Sequence, residues 1–251
     1  MPEPIGVALV YCFAVLALAG FVQGVFGMGF AMIATPLLAM VVDYSSAIYL
    51  AAVPLWVIAS VFLLLERKRA FAEPMCLRLV LGIIAGSVIG VMLQTALPQR
   101  LSLVLLGFLL IFGALVPTLL QWLKMAPRTM RARSVATFGA SAGITEAALN
   151  VGAPFMVLFG GLAQLNRFQQ IVALNLCFAV GKTIQLSLQT ITMPAPVTLT
   201  VIFGAVVIAG ASYTGGIFLG GRYSEAVFRR ALIAFQVVMA ALLFVRAGFS
   251  S

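Results

Sequence analysis

GFVQGVFGMGFAMIATPLL, residues Gly20 to Leu38, lies inside an apolar run that extends from Ile5 to Val42. One membrane-spanning helix takes roughly 20 apolar residues, so this run is too long for one span and too short for two. Gly24, Gly27 and Gly29 interrupt it, and Pro36 follows. The stretch therefore reads as a helix, a Gly-rich break and a half-helix that turns back. Unpaired backbone groups cannot face lipid, so such a break persists only where it is buried in protein or lines a polar cavity. Glycine permits close backbone approach and unusual dihedrals, and Pro36 has no amide hydrogen to donate. The free N-terminus of a half-helix carries partial positive charge. Such a place attracts anions.

The rest of the chain agrees with a membrane setting. Of 251 residues, 63% are hydrophobic and 8% charged, His is absent, and the mean hydropathy is +1.18. A soluble domain would be roughly 45–50% apolar and about 25% charged. The length allows about ten spans and no extramembrane domain. After the first broken run come Ser45 to Leu65, Met75 to Leu97 and Leu101 to Leu123, then a basic connection, KMAPRTMRAR, from Lys124 to Arg133. A second broken run, Ser134 to Leu165, is interrupted around Glu146 to Gly152. Phe168 to Thr190, Pro196 to Gly221 and Ala226 to Val245 follow it. One broken run and three single runs thus occur twice, dividing the chain into a first repeat (1–123), a basic connection (124–133) and a second repeat (134–251). Small residues recur with the pattern: Gly20, Gly24 and Pro36 against Gly139, Gly143 and Pro154, and GSVIG (Gly86 to Gly90) against ASYTG (Ala211 to Gly215).

Charge sets the orientation. Arg67, Lys68 and Arg69 form one basic group, Lys124, Arg128, Arg131 and Arg133 a second, and Arg222, Arg229 and Arg230 a third; all three are expected to be cytoplasmic. Counting each broken run as a single span would put the third group outside. The conflict vanishes if each broken run enters and returns. The halves are then inverted copies with both termini outside, an architecture that recurs in secondary transporters. The expected fold class is an all-α polytopic bundle of about 8 to 10 segments.

Composition also excludes chemistries. Without His there is no His-ligated metal and no His-activated nucleophile, and neither metal nor cofactor is expected. Cys12, Cys76 and Cys177 are isolated in apolar runs and read as core or lipid-facing residues. The net charge of +9 is dispersed among connections, which suits anionic lipid headgroups rather than nucleic acid. No GxxxxGK[ST] motif is present. The start, Met1-Pro2-Glu3-Pro4, lacks the basic region of a secretory signal, so the first run is expected to be retained.

The stretch from Gly20 to Leu38, with its degenerate partner GITEAALNVGAPFMVL (Gly143 to Leu158), resembles the sulfite exporter TauE/SafE family of membrane permeases, as do the length and the two-fold plan. The resemblance implies transport of sulfite, organosulfonates and related small anions, and a location in a bacterial inner membrane. The second copy departs from the glycine-rich form by carrying Glu146 and Asn150.

Lys182 is the most informative residue, because an intramembrane cation is costly and usually faces the bundle interior. Glu146 is the only acid deep in an apolar run and is the candidate for carrying a coupling proton. Around them, Gln23, Gly24, Gly27, Gly29, Thr35, Thr145, Asn150, Gly152, Asn175 and Gln185 are candidate substrate-binding groups, with Pro36 and Pro154 as structural residues. Asn175 and Gln185 are placed near Lys182 by helical spacing. Arg78, Arg100 and Arg167 read as interfacial anchors and Trp122 as a belt residue, while Trp56 is a candidate for packing inside. The leading reading is a secondary transporter, not an enzyme, in which two inverted halves move about a midplane site built from both breaks. A membrane-embedded enzyme acting on a lipid or phosphate ester, and a non-catalytic subunit of a membrane complex, are the alternatives. A small anion and membrane lipid are the expected partners.

Overall fold

The computed structural model describes residues 3–70, 76–123, 131–192, 197–222 and 224–249. In chain order the helices are α1 (Glu3–Phe26), α2 (Phe30–Leu38), α3 (Tyr44–Leu65), α4 (Arg67–Ala70), α5 (Cys76–Ala96), α6 (Gln99–Leu123), α7 (Ala132–Leu149), α8 (Ala153–Leu162), α9 (Arg167–Thr192), α10 (Leu199–Leu219) and α11 (Glu225–Phe249). A short 3-10 turn, Gly220–Arg222, follows α10, and no strand occurs among the described residues. Seven helices, α1, α3, α5, α6, α9, α10 and α11, contain stretches long and apolar enough to cross a bilayer. The chain is a polytopic helical membrane protein.

Both long runs are broken, and both turn back. α2 has nine residues and α8 ten, about 14 and 15 Å at the usual rise, or half of a hydrocarbon core roughly 30 Å thick. The Tyr11 hydroxyl, in the first half of α1, donates to the carbonyl of Leu37 at the far end of α2 (3.2 Å). In the second run the Phe138 ring of α7 packs on Phe159 of α8, centroids 5.7 Å apart. Each half-helix thus folds back along the helix that precedes it.

The most extensive contacts pair helices from the two chain segments: α5 with α7, α1 with α10, α6 with α11 and α3 with α9. Gly82, Gly86 and Gly90 of α5 meet the backbone of Ala136, Ala140 and Ile144 of α7, so these two helices run in parallel. Gly20 and Gly24 of α1 lie in the same way against Ala209 and Tyr213 of α10. A Cβ at Gly24 or Gly86 would overlap a carbonyl oxygen of the partner helix. Without a hydrophobic force between helices in lipid, such close approach supplies the van der Waals contact that holds them.

Basic residues mark one face of the bundle. Arg69 stacks over Phe168 at 4.3 Å, joining the end of α3–α4 to the start of α9, and Phe26 stacks on Phe228 at 3.7 Å, joining the end of α1 to the start of α11. At the opposite end Arg246 donates to the Val42 carbonyl (3.1 Å). Arg78, Arg100 and Arg167 are exposed in the first turns of α5, α6 and α9, as anchors would be. Trp122 is 84% exposed at the end of α6. Trp56 differs from the sequence expectation: it is partly exposed, on the outside of the α3–α9 contact, where its Nε1–H donates to the Thr183 hydroxyl (2.9 Å). Cys12, Cys76 and Cys177 are buried, as expected. Lys124 and Arg128 lie outside the described residues.

Candidate functional site

At the first break, Gly27 and Gly29 have φ of 76° and 112°, the left-handed region in which a Cβ is strained. Gln23 spans the gap. Its Nε2 donates to Gly27 O (3.2 Å) and its Oε1 accepts from the Phe30 amide at the start of α2 (3.2 Å). One neutral side chain thereby satisfies a donor and an acceptor left over by the interruption.

The second break uses the same places with different chemistry. Glu146 stands three residues before the end of α7, as Gln23 does in α1, and its Oε2 accepts from the Gly152 amide (2.7 Å). Asn150 follows α7 with φ 64°, as Gly27 follows α1; asparagine tolerates this conformation better than other residues with a Cβ. A carboxylate in this position needs a counter-charge, and α9 supplies it. Lys182 Nζ lies 2.8 Å from Glu146 Oε1, with both side chains fully buried. The ammonium donates to Glu146 O (3.0 Å), to Gln185 Oε1 (2.7 Å) and to Asn150 Oδ1. Three hydrogens thus face four oxygens, Glu146 Oε1 among them. Asn150 Nδ2 in turn donates to the Thr35 hydroxyl of α2 (2.7 Å).

The cluster lies deep. Lys182 is two to three residues past the middle of α9, about 4 Å along the axis. On one side it continues through glutamines, since Gln185 and Gln189 both donate to Gln94 Oε1 of α5 (3.3 and 2.8 Å). Gln94 and Gln189 were not singled out by sequence; they belong to helices about 95 residues apart, and the only available signal was a Gln within an apolar run.

Thr35, Glu146, Asn150, Gly152, Lys182 and Gln185 are therefore brought together. Gln23, Gly27 and Gly29 are not. Gly27 abuts Ile171 and Gly152 abuts Cys177, both on α9, and six residues of helix put the two breaks about 9 Å apart. Gly24 serves the α1–α10 contact instead of the break. The Thr145 hydroxyl bonds back to Ser141 O and Ala142 O. Asn175 donates to Ile171 O (2.8 Å), and its Oδ1 is buried without a partner. Pro36 sits within α2, withholding the amide that Met32 O would otherwise accept, and Pro154 opens α8. No group of three or more His, Cys, Asp or Glu is placed to hold a metal ion among the described residues.

A cavity of about 780 Å³ lies on the basic side of the cluster, with Arg167 and Arg229 near its mouth and Met32 and Pro154 deeper in. Met32 is one turn from Thr35, and Pro154 two residues from Gly152. The Lys182 cluster is closed from it by this layer.

A family model described as Sulfite exporter TauE/SafE matches residues 12–243, which takes in both breaks and Lys182. Neither a search of curated proteins nor one of solved structures finds a match.

Proposed function

Because the chain belongs to the sulfite exporter TauE/SafE family of membrane permeases, we propose that it is a secondary transporter of a small sulfur oxyanion, sulfite or an organosulfonate. In this reading the anion exchanges with Glu146 as the partner of Lys182. The observation that carries it is the position of that cation: buried near mid-depth, beside a broken helix, with its charge cancelled by one carboxylate. A permanent structural ion pair would gain little here, since desolvating two charges offsets most of their attraction. A transient one offers an anion a ready counter-charge once the carboxylate is neutralised.

Proton coupling follows from the same geometry. Glu146 is the carboxylate that faces Lys182, its Oε1 2.8 Å from Nζ. An anion that draws Lys182 toward itself leaves Glu146 without its counter-ion and favours protonation there. By linkage, protonation favours the anion to the same extent. Anion and proton then travel together, and the net charge of the closed cluster changes little.

The packing supports a two-fold plan in which segments 1–123 and 134–251 are inverted repeats. The α1–α10 pair runs toward the basic side and the α5–α7 pair away from it, and each pair is internally parallel. Gly20 and Gly24 in the first and Gly139 and Gly143 in the second lie against carbonyl oxygens of α10 and α5, in line with the correspondence that the sequence suggests; counted from the breaks, Gly20 falls one turn away, level with Gly143. Each close pair takes one helix from each segment, so the bodies that move are these mixed pairs. The cytoplasmic basic face, the outward termini and a bacterial inner membrane belong to the same proposal.

Purified chain reconstituted in liposomes tests it. Sulfite or a sulfonate should accumulate down an imposed proton gradient without any partner protein. Absence of flux across a panel of sulfite, sulfonates and carboxylates would overturn the reading.

A further inference from the structure

Gln236, on α11, is 1% exposed, and its Nε2 has no hydrogen-bond partner. An unsatisfied amide donor is costly in the interior of a membrane protein, so its surroundings need explaining. It lines the cavity on the basic side. A Cβ added at Gly113 of α6 would lie 2.7 Å from Gln236 Nε2, 3.1 Å from Pro154 Cγ and 3.2 Å from Met32 Cε. The amide therefore stands where α6, α8 and α2 converge, at the inner end of the cavity, and Gly113 is bare of side chain at that point.

Arg229 lies seven residues before Gln236, on the same face of α11, and is exposed toward the mouth; Arg167 opens α9 beside it. Between these cations and the buried amide the walls are mostly apolar, with Phe26, Met28, Leu120, Ile171, Phe228 and Leu232, and carry Gln121 and Gln170 besides. About 780 Å³ falls in the range of organic-ligand pockets, which are mostly apolar with a few placed polar groups. A bare inorganic oxyanion would leave these walls unused.

We propose that this cavity is a second binding site, a vestibule for an organic anion with an apolar body, whose sulfonate or carboxylate head accepts a hydrogen bond from Gln236 Nε2 after passing Arg167 and Arg229. The proposal rests on the transporter reading, with the vestibule as the place from which the anion reaches the Lys182 cluster beyond Met32 and Pro154. A carboxylate at 236 would turn the donor into a repelling charge, and a leucine would remove the donor while keeping the volume close.

The test is calorimetric titration of protein in nanodiscs of neutral lipid with methane-, ethane- and butanesulfonate, alongside liposome transport. For wild type, affinity should rise with chain length, by up to about fourfold per methylene. Gln236→Leu should weaken every sulfonate about tenfold or more, and Gln236→Glu should abolish binding. Gly113→Ala, which keeps Gln236 but crowds its amide, should weaken binding with an unaltered gel-filtration profile. A flat chain-length series, or butanesulfonate binding unchanged in all three variants, would overturn the vestibule. So would a wild-type protein that responds to phosphatidylglycerol and to no soluble sulfonate. If wild type transports and only Lys182 and Glu146 variants fail, the vestibule falls and the transporter reading stands. If sulfonates bind in the Gln236-dependent way but none is transported, the transporter reading falls and the site stands.

Discussion

Replacing Lys182 with Met leaves the Glu146 carboxylate buried, held by the Gly152 amide alone and without a counter-charge. Breaking a buried pair by removing one partner costs about 3–5 kcal/mol, because the remaining charge is uncompensated. For a chain of this size that corresponds to a fall in melting temperature on the order of 10 °C. Adding Glu146→Gln removes the charge while keeping an oxygen for the Gly152 amide, and should recover about 2–3 kcal/mol of the loss, the coupling expected of residues in direct contact. Some deficit should persist, since Asn150 Oδ1 and Gln185 Oε1 have lost their donor at about 1 kcal/mol or more in buried surroundings. Trp56 reports on the site, being bonded to Thr183, the neighbour of Lys182, so thermal unfolding followed by tryptophan fluorescence reads the series directly. Transport should stay at background in both variants even where the fold recovers. A double variant no more stable than Lys182→Met would refute the buried ion pair as the source of the cost. A double variant that transports like wild type would remove both residues from the transport cycle.

Three further outcomes are expected. Sulfonate binding by wild type should take up about one proton per anion in weakly buffered solution and should tighten as pH falls, while Glu146→Gln, a mimic of the protonated form, should bind with no pH dependence; proton uptake by that variant would place the coupling elsewhere. Gly86→Ala, whose Cβ meets the backbone of α7, should destabilise by about 1–3 kcal/mol, whereas Gly210→Ala, with nothing within 4 Å, should cost nothing measurable in thermal unfolding; equal melting temperatures would deny that backbone contact holds α5 to α7. With the native cysteines buried, Thr95→Cys should react with a membrane-impermeant maleimide in intact cells and Lys68→Cys should not; the reverse pattern would invert the orientation.

Much of the architecture was legible because bilayer thickness imposes a length that apolar runs must match. Ser45 to Leu65 became Tyr44–Leu65, and Phe168 to Thr190 became Arg167–Thr192. The breaks were legible for a different reason: Gly27, Gly29, Asn150 and Gly152 are residue types that an interrupted backbone tolerates. Lys182 and Glu146 stood out by scarcity of charge. The glutamines did not, because a neutral amide in an apolar run has no spacing rule, and Gln94 and Gln236 acquire meaning only through α9 in one case and Gly113 in the other. Depth was illegible too. Nothing in the local sequence says that the two breaks contact α9 six residues apart, since that distance depends on how far each long helix runs before it breaks: 24 residues in α1 and 18 in α7.

This difference in depth bears on how access would alternate in the proposed cycle. A site at which both half-helix termini converge would let one movement expose the anion to either side. Here the neutral Gln23 closes the break nearer the basic face, and the Glu146–Lys182 pair closes the deeper one. α2 leads from the first break to the second, where Thr35 holds Asn150. The close glycine contacts of α1 with α10 and α5 with α7 leave those helices little freedom to slide, because any shift in register drives a carbonyl into a neighbouring backbone. The contacts most readily exchanged are instead side-chain ones: Thr35 with Asn150, and Lys182 with its four oxygens. Displacing Lys182 from Asn150 also weakens the hold of Asn150 on Thr35, and with it the layer of Met32 and Pro154 that shuts the cavity from the cluster. In the proposed cycle, arrival of an anion at Lys182 would thereby be coupled to opening of the path from the basic side through one asparagine. Its replacement by glycine, which preserves the left-handed backbone, should leave the fold intact while making the cluster accessible to water.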